Sequence, residues 1–550
     1  MPLTLTMCLS PTNCDYERHS LPWLEGIPIQ QLDASTGPNA REVADPIVAY
    51  VNYDSDWTEG KSNHCQIVCE SAKIRRGVYV KIQDLPDDTT YIARVIDGPI
   101  YRVQGPYYVL ELTTMIVNGT RTVVQSRPKP GSPVRLLGKD TQAYIGAMGD
   151  ITLGTLIGQK DVKISINSVS LTRHIGIFGT TGCGKSNSLQ VIAEEASKLK
   201  QSVLIFDIEG EYTKMNEPTD ELQSQLAELG EEPEGVADLK VYVPAQNTSF
   251  SQDAKKFGIQ LADFDLEIFS EILGLSPFER IYLFEVARKA KDSSGNFHAY
   301  DINSLIVALK KRIEAQVVNT NLPEAVAEAH MGLYTKLHLA QRAGIIDSHY
   351  EKVTPEMICV PGRISVIDLN ESSDLVRNIC VAHFLKELFR YKTKFPNTPP
   401  VIIFLEEIHT FISKSKLKKM LATLTMLVEM ARQGRKRGIS LGIVSQQPAL
   451  VPSELIELCN TRLIHRVSST PNVHVLRQST GNVPESLWSL LLSLGRGEAL
   501  VSSPSYDHAV IAYIRPNKSR RLRVERSNAT AAPNNHRKVT QPKSKPSVQP

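Results

Sequence analysis

At 550 residues the chain can hold two or three domains with a sizeable core, and its 41% hydrophobic and 22% charged residues are the balance of a globular protein. No apolar stretch approaches the roughly 20 residues a membrane span needs, and Met1 to Ser20 lacks a basic stretch followed by an apolar core, so the expectation is a cytoplasmic protein without a membrane partner. The formal net charge of +3 is unevenly spread: Asn517 to Pro550 carries nine Lys/Arg against one Glu, a balance of +8, which leaves about −5 for the remainder.

Residues 1–44 carry Pro, Asn and Cys without period and read as an irregular lead-in. From 45 to 160 short runs rich in Val, Ile and Tyr recur (Ile47 to Tyr53, Gly77 to Ile82, Tyr91 to Ile96, Tyr107 to Met115, Arg121 to Gln125), punctuated by Gly, Pro, Asp and Asn. That spacing suggests a small β-barrel or sandwich. Eight cysteines are few for this length. Cys183, Cys359, Cys380 and Cys459 sit singly and read as buried thiols. His64, Cys65 and Cys69 lack a second matching pair for a zinc site, and Cys8 and Cys14 have neither the spacing nor a His partner.

The apolar run His174 to Phe178 reads as a buried strand, and Ser186 to Lys198 as a helix. Between them lies Gly179-Thr180-Thr181-Gly182-Cys183-Gly184-Lys185-Ser186, a complete P-loop. Glycines let backbone N–H groups turn toward the α- and β-phosphates, and the helix N-terminus adds its dipole. Lys185 is the residue that reaches the β- and γ-phosphates, Ser186 offers a hydroxyl to Mg²⁺, and Asn187 follows on the first helical turn. A second strand, Val203 to Asp207, follows, and strands alternating with helices mean a parallel α/β sheet. Asp207 has two readings of equal weight, lining the nucleotide site or capping a turn, and the same holds for Glu209 and Glu211.

Helical period dominates from 217 to 354, whose first part, Glu217 to Glu234, is acidic and reads as mobile. The segment is expected to be a helical insertion between two parts of the sheet domain, 161–216 and 355–516. In the second part, strands are expected at Arg363 to Leu369, Pro400 to Leu405, Ile439 to Ser445, Arg462 to Arg466 and Glu498 to Val501. Helices are expected at Asp374 to Tyr391 and Lys418 to Arg437. Residues 517–550 read as a basic, disordered tail, with DNA affinity or a plain solvated end as its two meanings.

Val401-Ile-Ile-Phe-Leu405-Glu406-Glu407 is an apolar strand ending in two carboxylates. Glu406 is suited to hold Mg²⁺ through its water shell and Glu407 to polarise the water that attacks the γ-phosphate. Gln446, at the end of another apolar strand, is suited to report hydrolysis or to cap a loop. In Ala431-Arg432-Gln433-Gly434-Arg435-Lys436 the cations either answer a helix C-terminal dipole or act as arginine fingers.

The ordered set resembles the HerA family of hexameric DNA translocases, within the HerA/FtsK group of P-loop ATPases. It comprises a barrel, Arg173-His174 leading into the P-loop, Asp207-x-x-Gly-Glu-Tyr212, Leu405-Glu-Glu-Ile-His409, Ala431-Arg-Gln-Gly-Arg-Lys436 and Ser445-Gln-Gln-Pro448. The resemblance spans roughly residues 45 to 515, with Glu406 where Asp is commoner and Ile408 where Ala is frequent. It implies a RecA-like ATPase core, ATP and Mg²⁺ as cofactors, a homohexamer around double-stranded DNA, and a NurA-type nuclease or other effector as partner. It makes Arg173 the cis arginine near the phosphates and Arg432 the trans arginine, with Arg435 second. The rival readings are a secretion or conjugation motor and an ATP-dependent scaffold that recruits a nuclease.

Overall fold

A computed structural model describes residues 46–53, 63–69, 74–84, 88–102, 105–289, 300–318, 323–412 and 421–522. The lead-in 1–44 and the tail from 523 onward lie outside the described residues.

The first part of the chain supplies β1 (Ile47–Val51), β2 (His64–Cys69), β3 (Tyr79–Asp84), β4 (Thr89–Arg102), β5 (Gly105–Val117), β6 (Thr120–Thr122) and β7 (Pro133–Leu136). Their order β2-β1-β7-β3-β4-β5 returns to β2 through a β2–β5 pairing, which closes a six-stranded barrel among the described residues, with β6 appended to β5. Closure satisfies every strand edge. Alternate residues of the short runs point inward: Cys65 and Ile67 on β2, Val80 and Ile82 on β3, Tyr91, Ala93 and Val95 on β4, Tyr108 and Leu110 on β5. Cys65 and Cys69 are therefore buried members of the barrel interior.

The barrel ends earlier than the sequence suggests. After a short helix α1 (Thr141–Tyr144), β8 (Ile151–Leu156) and β9 (Gln159–Ile166) pair with each other and join the second sheet. β8 lies inside the expected 45–160 unit, and β9 straddles the boundary expected at 160. Buried polar contacts tie the two parts together. The Arg94 guanidinium meets Glu111 at 2.7 Å, and both bind Ser486 Oγ; Tyr79 Oη hydrogen-bonds His508 at 2.7 Å.

The second sheet opens with β10 (Ile175–Phe178), followed by α2 (Lys185–Lys198), β11 (Ser202–Asp207), a short α3 (Gln223–Glu228), β12 (Leu239–Pro244) and β13 (Lys255–Phe257). Four helices come next: α4 (Leu266–Ile272), α5 (Pro277–Lys289), α6 (Ile302–Val318) and α7 (Glu324–Arg342). The chain returns to the sheet through α8 (Pro355–Ile358), β14 (Ile364–Asp368), α9 (Asp374–Lys394), β15 (Val401–Leu405), α10 (Leu421–Gln433) and β16 (Ile439–Ser445). It finishes with α11 (Ser453–Glu457), β17 (Thr461–Ile464), α12 (Thr470–Ser479), α13 (Glu485–Trp488), β18 (Glu498–Ser502) and β19 (Val510–Ile514).

Strand order is β13-β12-β14-β11-β15-β16-β10-β17-β18-β19-β8-β9. The eight strands from β13 to β17 are mutually parallel and the remainder antiparallel. Strands β10, β11, β14, β15, β16 and β17 are buried along their whole length, which is why they read as continuous apolar runs. The helical insertion is narrower than 217–354. Leu239-Lys-Val-Tyr-Val-Pro244 carries β-branched and aromatic residues and adds β12 to the sheet between β14 and the edge strand β13, so after the short α3 the run of consecutive helices begins at α4. The segment 217–234 is tied down rather than loose: Thr219 and Glu234 donate backbone N–H groups to Lys518 O.

Candidate functional site

Parallel strands direct their carboxyl ends to one edge, where crevices form. Here that edge brings together Asp207 after β11, Glu406 and Glu407 after β15, Gln446 after β16, the P-loop after β10 and His465 after β17. The P-loop strand lies directly between β16 and β17, and β15 is one strand further out.

The loop is shaped by its glycines and by what lies beneath it. Gly179 has φ 151°, and a Cβ there would stand 2.7 Å from His465 Cβ and 2.8 Å from Cys183 Sγ. Gly184, with φ 124°, caps α2 where that helix starts at Lys185. Cys183 is buried under the loop with its Sγ on Thr180 O, and burial pushes its thiol up. Thr180 anchors the loop to β17 through two hydrogen bonds to Arg466 O. His465 accepts from Ser188 Oγ at 2.8 Å and donates to Glu498 O at 2.9 Å; burial lowers it to about 4, so it is a neutral strut.

A cavity of about 840 Å³ opens in front of the loop, within the range of nucleotide-sized sites. Thr181, Gly182, Gly184, Lys185, Ser186 and Asn187 form one end of it; Glu209, Glu211, Glu406, Glu407 and Gln446 line the side wall. Lys185 Nζ rests on Thr180 O at 3.1 Å and stands 4.0 Å from Glu407 Oε1. Glu407 occupies the left-handed region at φ 45°, a strain that a non-glycine residue bears when its surroundings fix it. Those surroundings are the Gln446 N–H at 3.2 Å and His409 Nδ1 at 3.2 Å on Oε2. Thr181 Oγ1 donates to Gln446 Oε1, so one glutamine joins loop and carboxylate.

Glu406 is 5% exposed, and its Oε1 accepts from Tyr212 Oη at 3.0 Å. Its Oε2 is buried without a hydrogen-bond partner. Burial, and then the carboxylates of Asp207 and Glu211, raise Glu406 well above the ordinary range. A buried carboxylate with one orphaned oxygen, beside Ser186 on the same cavity, fits a divalent cation that would supply the missing charge.

Asp207 resolves to the turn. It is 0% exposed and accepts from the N–H groups of Glu209, Gly210, Glu211 and Tyr212 at 2.8–3.2 Å. It does not line the cavity; it holds the turn that delivers Glu209, Glu211 and Tyr212. Burial pushes its carboxyl up.

The three arginines lie elsewhere. Arg173 precedes β10 while the loop follows it, six residue steps or about 20 Å away, so the position near the phosphates is corrected: Arg173 sits at the opposite edge of the sheet, outside the cavity. Arg432 and Arg435 flank the end of α10, before β16 begins, and are exposed. Arg432 makes a 3.9 Å contact with Glu454. The seven residues of β16 keep both about 20 Å from Gln446. His174 knits this edge together, taking the Leu441 N–H on Nδ1 and reaching Ala431 O through Nε2.

The cations lining the cavity are instead Lys185, Arg496 and Arg521. Neither arginine was singled out from the sequence; Arg496-Gly497 looks like an ordinary turn, and Arg521 was read as tail. The chain from Arg515 to Leu522 is in fact a strap laid along α2. Arg515, 1% exposed, forks onto Glu194 at 3.0 Å and onto Glu195 at 2.8 Å. Asn187 grips it at both Arg515 O and Asn517 N, and Gln190 binds Ser519. Asn187, Gln190 and Glu194 share one face of α2. Lys518 pairs with Glu231 and Arg520 with Glu217, and Leu522 N–H reaches Glu211 O at 2.9 Å.

Residues 151–388 match the model of the central domain of helicase HerA. The match starts at the first residue of β8, where the second sheet begins. The DNA double-strand break repair helicase HerA of Sulfurisphaera tokodaii is 26% identical over 68% of this chain and 71% of that protein. The HerA of Sulfolobus acidocaldarius is 24% identical over 76% and 80%. A probable helicase of Methanocaldococcus jannaschii is 22% identical over 74% and 75%.

Proposed function

We propose that this chain, whose residues 151–388 match the central domain of helicase HerA, is a HerA-type ATP-driven motor that assembles as a homohexamer and moves duplex DNA through its channel. The observation that carries this reading is the meeting, on one strand edge, of Lys185, Glu407 4.0 Å from it, and buried Glu406 with an unpartnered oxygen. A site that only binds phosphate needs no such pair of carboxylates.

On nucleotide binding the Lys185 ammonium exchanges Thr180 O for the β- and γ-phosphate oxygens. Ser186 Oγ and Glu406, steadied by Tyr212, are the residues that would hold Mg²⁺, which when bound neutralises charge on those oxygens. Glu407 takes the proton of a water whose oxygen bonds to the γ-phosphorus as the bond to the ADP oxygen breaks. Gln446 links the P-loop to Glu407, so loss of the γ-phosphate changes the hydrogen bonding of the base itself. Arg432 and Arg435 are exposed and too distant to serve their own loop, which suits them to the loop of a neighbouring copy. Arg496 and Arg521 take the cis role on the cavity.

The names of the relatives support work on broken DNA, and the family resemblance supports a nuclease partner in end processing. The test is the ATPase rate with and without linear duplex DNA, together with displacement of streptavidin from a biotinylated DNA end. The expectation is DNA-stimulated hydrolysis with ATP-dependent displacement. An assembled ring that hydrolyses ATP with neither stimulation nor displacement overturns the translocase reading.

A further inference from the structure

We propose that a cavity between the barrel and the second sheet is a second ligand site, which takes a small neutral carbonyl compound with a ring-sized apolar body, and that its occupancy is linked to nucleotide affinity through the turn 494–498. The linkage rests on the nucleotide-binding reading of the P-loop; the site itself does not.

This cavity holds about 160 Å³, close to the roughly 150 Å³ that accepts benzene in a protein core. Tyr79, Arg94 and Val95 line it from the barrel, Leu156 from β8, and Leu490 and Leu494 from the segment after α13. Arg76 and Ser493, also on the lining, are exposed and mark its mouth. Tyr79 Oη is on His508 at 2.7 Å, and Glu498 Oε2 accepts the Gly495 N–H at 2.7 Å. Arg94 is left incomplete. It is 4% exposed, and its Nη2 donates to Glu111 Oε2 and to Ser486 Oγ at 2.7 Å each. Its Nε is buried without a hydrogen-bond partner among the described residues. A buried donor left unmade is costly, so the group wanted is an acceptor. Glu111 already answers the guanidinium charge, Glu498 adds a carboxylate to the lining, and Arg76 is screened at the exposed mouth. The acceptor is therefore a neutral carbonyl oxygen rather than a carboxylate, and the leucine and valine side chains take the apolar body.

One wall of this cavity also touches the P-loop. Leu494 and Glu498 line it, while Arg496 and Gly497, between them in the chain, line the nucleotide cavity. The Gly497 N–H donates to Cys183 O at 2.9 Å, and Glu498 O accepts from His465 Nδ1 at 2.9 Å. A Cβ on Gly184 would stand 3.4 Å from Gly497 Cα, so loop and turn are in contact. A ligand packed on Leu494 and Glu498 stiffens the turn before a nucleotide arrives. The nucleotide then gives up less freedom in ordering the loop and binds more tightly. By linkage, the nucleotide tightens the carbonyl ligand by the same factor.

The test is equilibrium dialysis of the full chain against acetophenone, ethylbenzene and benzoate, with ADP titrations alongside. Acetophenone should bind about tenfold more tightly than ethylbenzene, which has the same body without the oxygen, and than benzoate, which adds a full charge. Leu490→Trp fills the cavity and should weaken acetophenone about tenfold or more. Ser493→Trp, at the exposed mouth, is the second variant should the first fail to fold. Saturating acetophenone should tighten ADP about fivefold in the parent and leave it unchanged in the filled variant. No binding of acetophenone, equal binding of ethylbenzene or benzoate, or undiminished binding in the filled variant overturns the site. Bound acetophenone with unchanged ADP affinity overturns the linkage. A parent that binds acetophenone but no ADP fails at the P-loop reading, and the site stands.

Discussion

The two edges of the parallel sheet differ in what they lack. The carboxyl edge holds the P-loop, five carboxylates on the cavity wall and a buried oxygen without a partner, yet its arginines, Arg496 and Arg521, come from segments next to β18 and β19. The amino edge holds Arg173, Arg432 and Arg435, with Arg432 and Arg435 exposed and Arg432 3.9 Å from Glu454. One edge is a nearly complete hydrolytic site; the other presents the kind of cation that such sites use on the transferring phosphoryl group. About 20 Å of strand separates them within a chain, and under the proposed ring the two edges complete each other between chains.

The largest effects should come from the carboxyl edge. Lys185→Ala is expected to abolish nucleotide binding. Glu407→Gln should keep binding and lower turnover by about a thousandfold or more, read by equilibrium binding alongside steady-state ATPase rates. Normal turnover in Glu407→Gln would remove it as the base. The next effect concerns Glu406, whose carboxyl is held above its ordinary 4.5 by burial. The folded state then binds more protons than the unfolded one between 4.5 and the raised value. Without divalent cation, stability should fall as pH rises from about 5, by up to about 1.4 kcal/mol per pH unit for one such group. Thermal melts should register that slope, Mg²⁺ should reduce it, and Glu406→Gln should flatten it. An unchanged slope in Glu406→Gln would assign it to other groups, Asp207 first. The smallest effect should be Arg173→Ala, which leaves ATP affinity within about twofold because its side chain starts about 20 Å from the loop; a tenfold loss would move Arg173 back to the phosphates.

Much of this site was legible in the sequence because its signals are local. The P-loop places Lys185 and Ser186 by fixed spacing, and the apolar run Val401 to Leu405 places Glu406 and Glu407 by strand direction. The barrel was legible as a class, since period-two runs report strands, but its end was not: β8 and β9 carry the same kind of run and differ only in which sheet accepts them. Asp207 and Arg173 show a second limit. Each belongs to a motif beside the nucleotide loop in sequence, yet the hydrogen bonds of one and the strand length before the other decide their roles. The strap shows a third. Residues 515–522 are polar and basic, as a solvated tail would be, and only buried acids on α2 and opposite them on 217–234 turn that composition into structure.

The comparison of edges rests on one claim, that the amino edge of one copy serves the carboxyl edge of another. The direct test mixes two inactive proteins. Lys185→Ala subunits retain Arg432 and Arg435, and subunits carrying Arg432→Ala with Arg435→Ala retain the P-loop. Each alone should hydrolyse ATP about a thousandfold more slowly than the parent. Co-assembled, some interfaces pair an intact loop with intact arginines, and the ATPase rate should rise well above either protein alone. Mixed rings that form and remain as inactive as their components would contradict a site shared between copies.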